Sequence, residues 1–209
     1  MILRKFMDSY KYLPDAIIIP SGKMSKKFLE LGIKSFKEAC EYIHNVEYGY
    51  NTNYNDDMIL FKENKGTCTT KHAVIAALAE ELNIPLFKYV GVYKFTEDIS
   101  KGAEEILKKY QLPYAPMVHC FLVYDKYRFD LTEGNNNGKK KDLEEFIHIE
   151  KVEPFISRKN EYLILKRVLK EKILPSEEMK RIKERMLLKA REESIALIKK
   201  NIKAKVAMN

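Results

Sequence analysis

The sequence predicts an α+β fold in which one buried helix packs on a small antiparallel sheet. Three observations support this prediction. Residues 73–82 are apolar around most of a helical wheel, which is typical of a helix inside a domain. Residues 116–132 read as two short strands joined by a tight turn, which is typical of a hairpin. Residues 157–206 carry two further helical patterns, so extra C-terminal helices are expected.

The length and composition of the chain indicate its domain organisation and its cellular compartment. The chain has 209 residues, of which 45% are hydrophobic and 33% charged, enough for one buried core with a helical appendage. We expect residues 1–155 to form the α+β domain and residues 156–209 to form a helical pair packed on it. Three cysteines without a framework spacing fit a reducing compartment. No signal-peptide pattern or membrane-length apolar run is present, so the sequence favours a cytoplasmic protein with no membrane partner.

The net charge of +8 is compatible with a nucleic acid, an acidic membrane or an acidic protein as partner. The lysines are mixed with glutamates along the helical patterns, and no recognition motif accompanies them. The sequence therefore favours a solvated surface over a nucleic-acid patch. It leaves the oligomeric state open.

The N-terminal half leads up to the central helix. Residues 1–21 are expected to be an extended entry segment, and helices are expected over residues 25–31 and 35–44. Ser35 and Glu38 predict a capping box at the start of the second helix. In the polar loop that follows, Tyr50, Asn51 and Asn53 are candidates for residues that line the substrate-binding site or complete an oxyanion hole. Asparagine-rich loops are also ordinary turn formers, so both interpretations stay open.

The start of the central helix carries the candidate nucleophile. Gly66 supplies backbone freedom, Thr67 can cap, and Cys68 falls at the first helical position. Unpaired N–H groups and the helix dipole at this end favour thiolate over thiol. Most free cysteines are inert core residues, which is the alternative for Cys68. His72, one turn later, is an additional polar candidate whose simpler interpretation is a satisfied histidine.

The predicted hairpin supplies the other two candidates. With Asp125 and Lys126 as the turn, Tyr124 pairs with Tyr127, and His119 and Asp130 share one face of the sheet. His119 could then take the proton of the thiol, and Asp130 could hold the imidazole ring. Outside the hairpin, the sequence predicts strands over residues 86–95 and 146–152, and helices over residues 97–110, 157–174 and 176–206, the last capped by Ser176.

Residues 65–134 resemble the transglutaminase-like superfamily of the papain-like cysteine fold. The shared features are Gly66-x-Cys68 before an alanine-rich helix, Leu82-Asn-Ile-Pro85 at its end, the strand at residues 89–93, and His119 on an alternating strand. The resemblance implies a Cys-His-Asp core of Cys68, His119 and Asp130, which needs no cofactor. It also implies thiol-dependent acyl transfer or amide hydrolysis of a peptide or other amide-containing substrate. Hydrolysis is favoured, because bacterial members are more often proteases or amidases than cross-linkers.

The sequence leaves two alternatives to thiol-dependent acyl transfer or hydrolysis. Members of the superfamily usually carry a tryptophan near the site, and this chain has none, so a non-catalytic binding protein on a degenerate core is the main alternative. A zinc site is the other alternative, with ligands among Cys68, His72, His119 and Cys120. Adjacent strand residues point to opposite faces, so His119 and Cys120 do not readily reach one ion, and no metal is expected.

Overall fold

A computed structural model describes residues 10–206 and confirms the α+β class. Its helices are α1 (Lys23–Glu30), α2 (Phe36–Asn45), α3 (Ile59–Glu63), α4 (Cys68–Glu81), α5 (Ala103–Tyr110), α6 (Arg158–Val168) and α7 (Glu184–Val206), and a π-helical segment (Leu169–Ile173) continues α6. Its strands are β1 (Glu47–Tyr48), β2 (Lys65–Gly66), β3 (Leu86–Phe95), β4 (Ala115–Tyr124), β5 (Tyr127–Phe129) and β6 (His148–Lys151).

The strands form a four-stranded sheet in the order β5-β4-β3-β6 and a parallel pair of β1 with β2. In the β4–β5 hairpin, Tyr124 lies opposite Tyr127, which confirms the predicted register. Asp125 has a φ of 53°, a left-handed conformation that aspartate tolerates in tight turns. The ladder ends at Phe129, so Asp130 is the first residue beyond the paired strand.

The described chain divides into two compact units. The first comprises residues 10–90, 120–135 and 150–157, and the second comprises residues 91–119, 136–149 and 158–206. The predicted organisation, with residues 1–155 as the α+β domain and residues 156–209 as a helical pair packed on it, stays a prediction. The helices of the first unit, α1–α4, follow one another in the sequence, whereas strands β4–β6 separate α5 from α6 and α7 in the second unit.

Helix α4 is the centre of the first unit. Of its 14 residues, 11 are buried, as its apolar helical wheel predicts. Glu81, at its C-terminal end, accepts hydrogen bonds from the backbone N–H groups of Met24 and Ser25 and so caps α1. The capping box of Ser35 and Glu38 is confirmed at the start of α2. The fully buried apolar residues around α4 include Phe28, Phe36, Ile43, Leu60, Ile75 and Leu78.

The second unit contains the C-terminal helices. Helix α7 packs against α5, and the Glu193 carboxylate accepts hydrogen bonds from Lys109 and Tyr110. In the β3 strand, Gly91 makes room for an aromatic ring. A Cβ atom at Gly91 would come within 2.3 Å of Cδ1 of Phe146, whose ring packs edge-on against Tyr93.

Several predicted element boundaries are wrong. The last helix begins at Glu184 and not at Ser176, because the Ser176 hydroxyl donates to the carbonyl of Ile173 and closes the preceding helical turn. Helix α5 begins at Ala103 and not at residue 97, because the Glu97 carboxylate accepts from the N–H groups of Gly102 and Glu104. Strand β6 is shorter than residues 146–152.

At the N-terminal end, the predicted entry segment is extended where it bridges Ile17 to Ser35. Its part before residue 10 lies outside the described residues. Within residues 10–206, no helix combines the length and the apolar character that crossing a bilayer requires.

Candidate active site

Cys68 is the first residue of α4, as predicted, and only 8% of its surface is exposed. Gly66 is required there by space rather than by backbone freedom. A Cβ atom at this position would lie 2.7 Å from the hydroxyl of Thr70 and 2.9 Å from Leu60. The close packing of β2 on the first turn of α4 is what directs the chain into the helix at Cys68.

Thr67 occupies the N-cap position, but its side chain does not cap the helix. Its backbone is extended, and its hydroxyl makes no hydrogen bond to the N–H groups of the first turn. The hydroxyl oxygen is buried and has no partner among residues 10–206. The expectation that Thr67 caps α4 is therefore wrong, and the structure leaves a buried hydroxyl one residue before the candidate nucleophile.

His72 connects Cys68 to the segment after the hairpin. Its Nδ1 donates to the carbonyl of Cys68 over 2.8 Å, and its Nε2 accepts from the N–H of Leu131 over 2.8 Å. These two bonds require the neutral imidazole with its proton on Nδ1. The ring is fully buried. His72 is thus a satisfied histidine, the simpler of its two interpretations, and its role is to hold two backbone segments together.

Asp130 lies next to this ring. Its Oδ1 is 3.4 Å from Nε2 of His72, and the same oxygen accepts hydrogen bonds from the N–H and the hydroxyl of Thr132, at 2.9 and 2.7 Å. Because Nε2 already accepts from Leu131, its contact with Asp130 is not an ion pair of a charged histidine. The carboxylate is 9% exposed, and Thr132 fixes its orientation.

A second histidine binds the other peptide group of Leu131. His44, at the end of α2, donates from Nδ1 to the carbonyl of Leu131 over 3.3 Å. Burial lowers the pKa of His44, and the neighbouring Lys71 lowers it further, so the ring is neutral at pH 7. Both peptide groups of Leu131 are therefore bound by neutral imidazoles. This arrangement fixes the position of Asp130, one residue earlier in the chain.

Lys71 is a buried lysine beneath this network. Its ammonium group donates to the carbonyls of His44 and Val46 at the C-terminal end of α2, and Asn135 donates to the same two carbonyls. Burial lowers the pKa of Lys71 to about 7, and the Asp130 carboxylate opposes this effect. Lys71 thus ties α4 to the end of α2.

His119 belongs to the second unit, whereas Cys68 and Asp130 belong to the first. Its ring is 2% exposed and packs edge-on against Tyr93. Its Nδ1 accepts a hydrogen bond from Nζ of Lys139 over 3.1 Å, and the same ammonium group lies 5.7 Å from the centroid of the Tyr93 ring. Lys139 is held in a turn by the Asn137 side chain, which accepts from its N–H. The convergence of Cys68, His119 and Asp130 stays a prediction.

The loop candidates lie between β1 and α3. Asn51 is buried, and its amide group donates to Glu63 and to the carbonyl of Lys65 while its oxygen accepts from Thr70. Both of its N–H groups are used inside the protein, which disfavours Asn51 as an oxyanion donor. Asn53 is exposed and accepts from the N–H of Asn55, a turn-forming contact. Tyr50 is half-buried, and its substrate contact stays a prediction.

The remaining cysteines are buried and unbridged. Burial raises the pKa of the Cys40 thiol, and Cys120 lies 3.8 Å from the hydroxyl of Thr69. The zinc alternative needs His72 as a ligand, but both of its ring nitrogens are bound to backbone groups. Within residues 10–206, no three His, Cys, Asp or Glu side chains cluster in a way that could hold a metal ion.

Sequence patterns missed several of these residues. Lys71 was part of the predicted helix, but no local signal shows that a lysine there is buried. His44 and Lys139 also gave no signal, because their partners are distant in sequence. The Thr67 hydroxyl gave no signal either, because only the fold determines which donors and acceptors surround it.

Comparison with known proteins gives no relative on which to base a function. The chain matches no protein-family model, no curated protein and no solved structure. The inference of function therefore depends on the residues themselves.

Proposed function

We propose that this protein carries out thiol-dependent acyl transfer or amide hydrolysis on a transglutaminase-like core, with hydrolysis the favoured outcome. Cys68 is the nucleophile, His119 the general base and acid, and Asp130 the group that orients the imidazole. One observation carries the proposal: through His72, the segment that bears Asp130 is bonded to the first turn of the helix that begins at Cys68.

That observation supports the proposal because separate sequence patterns predict Cys68 and Asp130 as site residues. The carbonyl of Cys68 and the N–H of Leu131 bind opposite nitrogens of one buried ring. A buried carboxylate that accepts two hydrogen bonds from Thr132 has a fixed direction, as a residue that orients an imidazole needs.

The position of Cys68 supports its role as well. The residue begins a long helix, where unpaired N–H groups and the helix dipole favour the anionic form of a thiol. The same N–H groups can stabilise the oxyanion that forms when a carbonyl is attacked. The adjacent Thr67 hydroxyl, which does not cap the helix, is a further candidate contact for the substrate.

The reaction proceeds in two steps. The thiolate of Cys68 attacks the carbonyl carbon of an amide or ester, and the imidazolium of His119 gives its proton to the leaving amine or alcohol, which leaves a thioester. Water or an amine then attacks the thioester, His119 takes its proton, and the thiol leaves as the thiolate. The peptide or other amide-containing substrate is part of the proposal, and no cofactor is required.

Cysteine labelling tests the proposal. The protein is treated with iodoacetamide between pH 5 and pH 9, and alkylation of each cysteine is followed by mass spectrometry. We expect Cys68 to react at pH 6 far faster than a free thiol, and to lose this reactivity in His119→Ala. His148→Ala is the matched control, since it removes a histidine from a different strand. Buried Cys40 and Cys120 are internal references.

A second measurement separates an enzyme from a binding protein. With p-nitrophenyl acetate as substrate, an enzyme should release nitrophenolate in a burst and show an acetyl group on Cys68. An added primary amine that speeds turnover would indicate transfer, whereas an unchanged rate would indicate hydrolysis. A circular dichroism spectrum checks that the labelled protein is folded. If Cys68 of the folded protein reacts as slowly as an ordinary thiol at every pH, catalysis is refuted and the binding protein is favoured.

A further inference from the structure

The positive charge of the protein is concentrated in its C-terminal quarter. Residues 158–209 contain 16 of the 38 lysines and arginines but 7 of the 30 aspartates and glutamates, a net charge of +9. The remaining 157 residues contain 22 basic and 23 acidic residues, a net charge of −1. The overall value of +8 therefore does not describe an evenly basic surface.

Within this quarter, α7 presents five of its basic residues on one side. Its buried residues recur at helical spacing and face its own unit, and Leu187, Ala190, Ser194, Ile198 and Ile202 are among them. At 100° per residue, all its exposed residues up to position 203 fall on the opposite side, within about 100° of each other. Besides Glu192 and Ala196, they are the five residues that we call the basic face: Arg185, Lys189, Lys199, Lys200 and Lys203.

Two acidic residues of α7 form ion pairs outside this face, and Glu193 also interacts electrostatically with Lys189 of the face. Glu193 is bound to Lys109 and Tyr110, and Glu184 is bound to Lys166. Glu192 is the one exposed acid among residues 184–203. The exposed side of α7 therefore carries five basic residues and one acidic residue, an excess of four positive charges.

The arrangement fits an extended polyanion. From Arg185 to Lys203 the helix rises about 27 Å, at 1.5 Å per residue. A nucleic-acid duplex carries one phosphate charge per about 1.7 Å of its axis, counting both strands, so negative charge is available along the whole of this length. The apolar side of α7 is buried in its own unit, and the face has no large apolar or aromatic residue. Such a face is unsuited to insertion into a bilayer and to stacking on unpaired bases.

We propose that the basic face of α7 binds the phosphate backbone of a nucleic-acid duplex without reading its bases. This inference is independent of the chemistry at Cys68, because it uses only exposed residues of one helix in the second unit. It also replaces the interpretation of the lysines as a merely solvated surface. That interpretation followed from the absence of a motif, and backbone binding needs none.

The test measures binding of the full chain to a fluorescein-labelled 20-base-pair DNA duplex by fluorescence anisotropy at 50–200 mM KCl. With five phosphate contacts, the affinity should fall several hundred-fold over this range. A variant with Lys199→Gln, Lys200→Gln and Lys203→Gln keeps two contacts, so its affinity should fall only about tenfold. Glutamine keeps a high helix propensity, and circular dichroism checks that the helix is retained.

The matched control removes the same charge from the first unit, with Lys26→Gln, Lys34→Gln and Lys126→Gln at three exposed positions. This variant should keep the salt dependence of the wild type. Three results would overturn the proposal: no saturable binding at 50 mM KCl, equal losses in the two triple variants, or tighter binding to phosphatidylserine vesicles than to the duplex. The last result would assign the face to a membrane surface.

Discussion

Lys71 provides the sharpest test of how the first unit is held together. The residue has no exposed surface, and its ammonium group donates to the carbonyls of His44 and Val46. Burial lowers its pKa from an ordinary value of 10.5 to about 7. A neutral amine has two N–H groups and can still bind both carbonyls, so losing the proton relieves the burial of charge without breaking the contact.

The sign of the pH effect follows from the two pKa values. Below pH 7 the lysine is protonated in both the folded and the unfolded chain, so its effect on the free energy of unfolding is constant. Between pH 7 and 10.5 the unfolded chain keeps a proton that the folded protein has released, so stability rises with pH. The contribution of Lys71 should therefore increase by about 2 kcal/mol between pH 7 and pH 9.

Urea unfolding followed by far-ultraviolet circular dichroism measures this effect in the wild type and in Lys71→Met. The free energy of unfolding of the wild type minus that of the variant should rise by about 2 kcal/mol from pH 7 to pH 9. Burial also raises the pKa of Cys40, and that of Tyr114 to about 12, but both effects cancel in the difference.

Lys26→Met, at an exposed position of α1, is the control and should keep the pH dependence of the wild type. Asn135 still donates to the two carbonyls in Lys71→Met, which keeps the end of α2 satisfied. A difference between wild type and Lys71→Met that stays flat from pH 7 to pH 9 would show that the lysine is not buried as described.

Three further predictions concern the candidate site. His72→Phe leaves the N–H of Leu131 without its acceptor and should cost about 1–3 kcal/mol in urea unfolding. It should also lower the labelling rate of Cys68. Thr67→Val removes a buried hydroxyl that makes no hydrogen bond within residues 10–206, so stability in urea should stay equal or rise by about 1 kcal/mol. Lys139→Met removes a positive charge that lies 3.1 Å from the His119 ring, and the His119 proton resonance should therefore titrate at a higher pH.

Matched variants make these predictions decisive. His148→Phe should leave the labelling rate of Cys68 unchanged. If His72→Phe and His148→Phe lower this rate equally, His72 has no specific role at Cys68. Thr67→Ser keeps the hydroxyl but loses a buried methyl group, so it should be less stable than the wild type by about 1 kcal/mol. A marked loss of stability in Thr67→Val would reveal a hydrogen bond at the hydroxyl. Lys139→Arg keeps the charge, and a shift as large as that of Lys139→Met would exclude an electrostatic cause.

The parts of the fold that were predicted correctly depend on local patterns. Helix α4 begins at Cys68 because an apolar run follows a glycine that allows close packing. The β4–β5 register follows from a two-residue turn in which Asp125 adopts a left-handed conformation. Because side chains alternate along a strand, this one turn fixed the face on which Asp130 was expected.

The missed features depend on distant partners. Nothing near Lys71 in the sequence indicates that two carbonyls at the end of α2 receive its side chain. His44 and His72 lie on different helices and bind the two peptide groups of Leu131, an arrangement that only the fold creates. Ser176 was assigned as a helix cap, but a serine side chain can also bond backward to a carbonyl, as it does at Ile173.

The pairing of Gly91 with Phe146 constrains how this protein can vary. The ring fills the space that a side chain on β3 would take, and the backbone next to it is joined by a hydrogen bond from Ile147 to Val92. An alanine at position 91 would expel the ring and loosen the entry to β6. Homologues with a larger residue at position 91 should therefore carry a small one at position 146, so that the summed side-chain volume of the two positions stays about constant.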